Sequence, residues 1–98
     1  MTNPEMCAII RLQIKEVNTM YEELKAKLTA YYQQELNYTK VGLIHETDPV
    51  QRGKTTWYAL QRCLGACQFA QMQGLPFADA EALFEEIKEK LKELENNA

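Results

Sequence analysis

Glycine is scarce in this chain: of 98 residues four are glycine, and the first is Gly42. Three prolines occur, at positions 4, 49 and 76, so nothing from Glu5 to Val41 interrupts a helix by removing a donor or freeing the backbone. Cysteine is sparse and odd in number. Cys7, Cys63 and Cys67 show no framework spacing, which excludes a disulfide scaffold, fits a reducing compartment and leaves three thiols. No apolar run approaches the roughly 20 residues that span a bilayer, and the first residues lack the charged-then-apolar pattern of a secretory leader. A cytoplasmic protein with no membrane contact is expected. The net charge of −3 and the pI near 5.2 lack the basic excess of a general nucleic-acid binder.

What is present suits a folded domain: 46% of residues are hydrophobic and 26% charged, well away from the composition of disorder. The length allows one domain, residues 1–98. Charge is unevenly placed. Residues 40–62 hold four Lys/Arg against two Asp/Glu, whereas residues 63–98 hold three against seven. Neither an internal repeat nor a low-complexity tract is visible, and the Lys/Glu run near the C-terminus reads as a solvated helix face.

Apolar residues recur at alternating steps of three and four through Cys7, Ile10, Ile14, Val17, Tyr21, Leu24, Leu28 and Tyr31, break at Glu35 and return at Tyr38. This is a heptad seam, and it predicts one long helix from Pro4 to about Thr39, roughly 54 Å at 1.5 Å per residue. Pro4 suits the first helical position and keeps Asn3 extended for capping. A loop is predicted over about 40–54. The next helix has two candidate starts, Asp48 as cap with Pro49 in the first turn, or Thr55/Thr56 after Gly53, and it ends at Gly74. Val50, Gly53, Trp57, Leu60, Leu64 and Cys67 form one stripe along it, which predicts Trp57 in the core. Ala59, Gly65, Ala66 and Ala70 form a side of small residues that suggests close approach of another backbone. Beyond Gly74, Phe77, Ala80, Phe84, Ile87, Leu91 and Leu94 form a third stripe, opened at Pro76 or Asp79. The expected fold is all-α: a long N-terminal helix (about 4–39), a loop (about 40–54) and a C-terminal helical hairpin (about 55–73 and 77–96), packed as a helical bundle.

Gly53-Lys54-Thr55 carries the last three letters of a nucleotide-binding P-loop. The first glycine of that motif would fall on Asp48, which repels phosphate and precedes a proline with no N–H to donate, and no strand–loop–helix context exists. The match is spurious. What remains is a basic turn, Arg52 and Lys54, leading into Trp57 and Tyr58. Adjacent residues on a helix point about 100° apart, so Tyr58, flanked by Lys54 and Arg62, is the better surface anchor, with an edge-of-core tyrosine as the bland alternative. His45, Arg52, Lys54, Tyr58 and Arg62 are the candidate partner-binding residues.

Cys63 and Cys67 share a helix face but lie too far apart for a disulfide. With Cys7 and His45 they supply the non-carboxylate ligands a zinc site needs; small core residues are the alternative for the two helix cysteines. His45, Glu46 and Asp48 place an imidazole beside two carboxylates, but a domain of this size seldom encloses a pocket for acid–base chemistry, and an enzyme is not expected. Neither cofactor nor metal is expected. Tyr31 and Tyr32 lie in a stretch without Lys or Arg between Lys27 and Lys40, favouring protein over nucleic acid there.

A hairpin of about 28–38 Å does not match a helix of about 54 Å. The surplus exposes apolar seam residues, each forgoing roughly 1.5–3 kcal/mol of burial. A homodimer through Ile10, Ile14, Val17, Tyr21, Leu24, Leu28 and Tyr31 is therefore expected, with docking of a different protein as the alternative. The stretch "QRCLGACQFAQMQGLPFADAEALFEEIKEKLKEL", residues 61–94, resembles small uncharacterised helical proteins of bacteriophages and mobile elements of Gram-positive bacteria. That resemblance implies an accessory protein that inhibits or regulates a larger protein by occupying its surface. Alternatives from other classes are a nucleic-acid-binding regulator using Lys40, Arg52, Lys54 and Arg62 with Tyr58 stacking, and a metal or thiol protein using Cys7, Cys63, Cys67 and His45.

Overall fold

The computed structural model describes residues 4–97, with side chains described from Thr19 onward. The chain forms three α-helices, α1 (Pro4–Leu43), α2 (Pro49–Met72) and α3 (Phe77–Asn96), and no strand occurs among the described residues. None of the three helices is long and apolar enough, over the residues described, to cross a membrane.

Local chemistry sets the boundaries. At the start of α2, Asp48 is the cap: extended at φ −72°, ψ 118°, it accepts a hydrogen bond from the Val50 N–H through Oδ1 at 3.1 Å, and Pro49 fills the first turn. The loop expected over 40–54 is therefore too long. Lys40 to Leu43 complete the last turn of α1, and Gln51 to Lys54 belong to the first turns of α2, leaving Ile44–Asp48 as the connection. Gly42 is tolerated inside α1, where a Cβ would stand 3.7 Å from Thr55 Cγ2. Beyond α2, Gly74 adopts φ +115°, a conformation that L side chains rarely take, and its N–H returns to the Gln71 carbonyl at 3.0 Å. Leu75 then dips into the core and Pro76 opens α3.

The three helices pack against one another in alternating directions. Leu43 meets Arg52 and Glu35 meets Arg62, so α1 and α2 run antiparallel. Arg52 reaches Glu95 and Cys67 reaches Ala80, so α2 and α3 do too. The core stacks Leu24, Leu28 and Tyr32 of α1 on Ala59, Cys63, Cys67 and Ala70 of α2 and on Ala80, Ile87 and Leu91 of α3. Small side chains dominate the α2 contribution and let the neighbouring helices approach.

Two expected burial patterns are corrected. Trp57 is 56% exposed, because the face of α2 that turns inward is Arg52, Thr56, Ala59, Cys63, Cys67 and Ala70, more than a third of a turn away from the Val50–Trp57–Leu64 row. Gly65 lies on the outside with nothing within 4 Å of a built Cβ, so it marks no close helix approach. Phe77 is also exposed, at the first position of α3.

Candidate functional site

Arg52, expected on a basic surface turn, points inward and is 7% exposed. Its guanidinium has five N–H donors, and five backbone carbonyls accept them. Nε donates to Glu95 at 3.1 Å, one terminal nitrogen to Leu43 at 3.0 Å and Glu46 at 2.6 Å, the other to Leu94 at 2.9 Å and Asn97 at 2.7 Å. The acceptors sit at the C-terminal ends of α1 and α3 and in the connection after α1, where carbonyls lack helical partners and the helix dipoles place negative potential. A buried cation is thus satisfied by backbone carbonyls, without an ion pair among the described residues, and none of its donors is left over for a partner. Arg52 is removed from the candidate binding set.

Arg62 is likewise engaged. Its Nε donates to Glu35 Oε2 at 2.8 Å and its guanidinium carbon lies 5.9 Å from the centroid of the Tyr38 ring. Of the basic residues proposed to meet nucleic acid, Lys40 and Lys54 stay exposed without an ion pair among the described residues. His45 is exposed in the connection between α1 and α2, away from the row that carries Tyr58 and Arg62. Tyr58 is exposed and meets Trp57 edge-to-face at 5.3 Å.

Tyr58, Arg62, Gly65, Phe69 and Met72 follow one another at steps of four, three, four and three, which aligns them on one row of α2 beside α1. Tyr58, Phe69 and Met72 are exposed large apolar side chains, as are Tyr38 and Val41 on α1. Toward the α2–α3 connection the seam between α1 and α2 widens into a groove of about 370 Å³, walled by Leu24, Leu28 and Tyr31 on one side and Ala66, Phe69 and Ala70 on the other, with Lys27 and Gln73 at its rim. Sequence reasoning found Tyr58 and Arg62 but missed Phe69 and Met72, whose signal was their exact phase with Tyr58 along α2.

Among the residues expected to pair two copies, Leu24 and Leu28 are buried against α2 and α3, which corrects their assignment to an open seam; Tyr21 and Tyr31 are half-buried. Ile10, Ile14 and Val17 lie outside the described side chains.

Cys63 and Cys67 behave as core. Cys63 is fully buried, and that burial pushes its thiol up to about 12; the Glu35 carboxylate adds to the rise and Arg62 opposes it. Cys67 donates to the Ala80 carbonyl at 3.6 Å and receives Gln71 Nε2 at 3.6 Å. A reactive thiol needs the reverse environment, one that favours thiolate. Cys7 falls outside the described side chains, and among the described residues no cluster of three or more His, Cys, Asp or Glu could hold a metal ion. Burial also raises the Tyr32 hydroxyl, with Cys67 adding to the effect, and burial followed by Glu35 raises Tyr31. Among the described residues, Thr39 Oγ1 is buried with no hydrogen-bond partner, and the buried Tyr32 hydroxyl has only the Cys67 sulfur facing it. The groove has mostly apolar walls, with the Tyr31 ring on one side and Lys27 and Gln73 as its polar rim. Compared with family models, with curated proteins and with solved structures, the chain matches none.

Proposed function

We propose that this chain is a non-enzymatic protein-binding module that presents the α1–α2 face to a partner. The reading takes α1 as one rod set against an α2–α3 hairpin shorter than itself, and gives the surplus length a role in self-association. A larger protein, inhibited or regulated by having its surface occupied, is the other partner in this reading.

One observation carries it. Tyr58, Phe69 and Met72 lie on a single row of α2 and remain exposed beside the apolar groove at Leu24, Leu28 and Tyr31. The apolar groove flanked by exposed Phe69 and Met72 and rimmed by Lys27 and Gln73, with the Glu35–Arg62 pair and then Tyr58 further along the same row, has the make-up of a binding surface, whereas single exposed apolar residues need no explanation. Aromatic side chains beside arginine also have the composition of interface hot spots.

The test is a pair of variants, Tyr58→Ala and Phe69→Glu, compared with the wild type in affinity capture and in molar-mass measurement. Both positions are exposed, so helicity is expected to stay at the wild-type level while association weakens. Association that is unchanged in both variants contradicts the reading. A mobility-shift titration addresses the nucleic-acid alternative: with Arg52 and Arg62 engaged inside the chain, no salt-sensitive binding is expected at physiological ionic strength.

A further inference from the structure

The groove between α1 and α2 lies at the end of the bundle from which α1 runs on alone. Leu24 is the first buried side chain described on α1, and Lys25 pairs with Asp79 in the first turn of α3 at 3.8 Å. The α2–α3 connection therefore sits beside residues 24 and 25. The helix from Pro4 to that level is about 30 Å long, and the molecule measures 70 Å along its major axis against 17 × 16 Å across. Among the described residues, α1 thus runs on past the hairpin from the level at which the apolar groove ends.

Building on the self-association reading above, we propose that the occupant of the groove is the N-terminal part of α1 from a second copy, running antiparallel to α1 so that each copy fills the other's groove about a two-fold axis. Direction follows from geometry. A second α1 can enter the groove while shielding the free length of the first only if it arrives from beyond the α2–α3 connection with its N-terminus leading. In a parallel, in-register pair, each groove would stay empty and the two hairpins would crowd each other from Leu24 onward. The sequence spacing supplies the filling: Ile10, Ile14, Val17 and Tyr21 continue at the same three-and-four steps that bring Leu24 and Leu28 to the groove. Phe69 is 60% exposed and Tyr21 and Tyr31 are half-buried, so each copy brings apolar surface to the contact beside the seam of Ile10, Ile14 and Val17. The contact is isologous and closes on itself, so it yields a dimer rather than a filament.

The native Cys7 makes the register testable. Antiparallel filling brings it beside the groove, whose rim holds Lys27 and Gln73, both exposed. The variants Lys27→Cys and Gln73→Cys are oxidised mildly at micromolar concentration, each with and without Cys7→Ser. Disulfide-linked dimers are expected for at least one of them, lost when Cys7→Ser is added and absent from the wild type. Phe69→Glu is expected to weaken dimerisation at least tenfold at unchanged helicity. Cross-linking of wild-type chains through Cys7 itself, with no gain from either rim variant, means parallel pairing; it overturns the groove exchange while leaving self-association standing. Dimerisation indifferent to Phe69→Glu also overturns it. A monomer at every concentration removes both the exchange and the self-association reading.

Discussion

Arg52 and Glu95 hold the two ends of the chain's last two helices together in both directions. The Arg52 side chain donates to the Glu95 backbone carbonyl at 3.1 Å, while the Glu95 carboxylate accepts from Thr56, one turn along from Arg52, at 3.2 Å and comes within 3.2 Å of a Cβ placed on Gly53. The same guanidinium reaches Leu43 at the end of α1, so one side chain ties all three helices at this end of the bundle. Arg52→Ala leaves five carbonyls without their donor and is expected to cost about 3 kcal/mol or more. Arg52→Lys keeps the charge but replaces a planar fork by a single nitrogen, and is expected to recover less than half of that loss. Urea denaturation of both variants checks this, and an Arg52→Ala midpoint equal to that of the wild type would refute it.

Two buried hydroxyls give the opposite sign. Among the described residues Thr39 Oγ1 has no hydrogen-bond partner and Tyr32 Oη has none better than the Cys67 sulfur, so each carries a desolvation cost with little in return. Thr39→Val and Tyr32→Phe keep the shape and delete the polar atom. Each is expected to be neutral or to stabilise by about 1 kcal/mol, raising the melting temperature by roughly 4–8 °C per kcal/mol in a domain of this size. A loss of more than 1 kcal/mol in either would show that the hydroxyl is bonded.

Stability should fall in alkali. The unfolded chain releases the Cys63 proton near the ordinary value of 9.0, whereas burial holds the folded thiol protonated up to about 12. Above pH 9 the unfolded state therefore binds fewer protons than the native one, and unfolding becomes easier as pH rises toward 12. Tyr31 and Tyr32, both raised from 10.0 with burial as the leading cause, act in the same direction above pH 10. Denaturant midpoints measured from pH 7 to 10.5 are expected to decline beyond pH 9, and Cys63→Ala to flatten the first part of that decline. A wild-type midpoint that is constant over this range would contradict the buried placement.

Gly65 offers a clean gain. It is exposed inside α2 with open space where a Cβ would go, so Gly65→Ala is expected to stabilise the fold by about 0.5–1 kcal/mol through helix propensity alone. Thermal melts decide it, and destabilisation would restore a packing role.

Helical class and the stop at Gly74 were legible because each depends on residues adjacent in sequence, whereas Asp48–Pro49 was one of two candidate starts and the fold expected from the sequence began the helix late, at about residue 55. Facing was harder. On α1 the heptad seam steps from Leu28 to Tyr31 and Tyr38, but a straight helix of 3.6 residues per turn drifts away from a strict seven-residue repeat, and the inward row becomes Tyr32, Thr39 and Leu43, with Tyr38 left outside. On α2 the large apolar residues mark the outside, since the inside is taken by alanines, cysteines and one arginine whose partners are backbone carbonyls of other helices. No hydropathy pattern encodes carbonyls 42 to 45 residues away. The groove was invisible for the same reason: Phe69 and Leu28 become neighbours only once the antiparallel register of α1 and α2 is set.

The claim on which the functional reading rests is that the α1–α2 face is covered by another chain. Light scattering on the purified protein at micromolar concentration tests it most directly. The expected molar mass is twice the 11.3 kDa of one chain, falling toward a single chain in Phe69→Glu at unchanged helicity. A fully helical wild type that stays at 11.3 kDa across the concentration range would contradict self-association through this face.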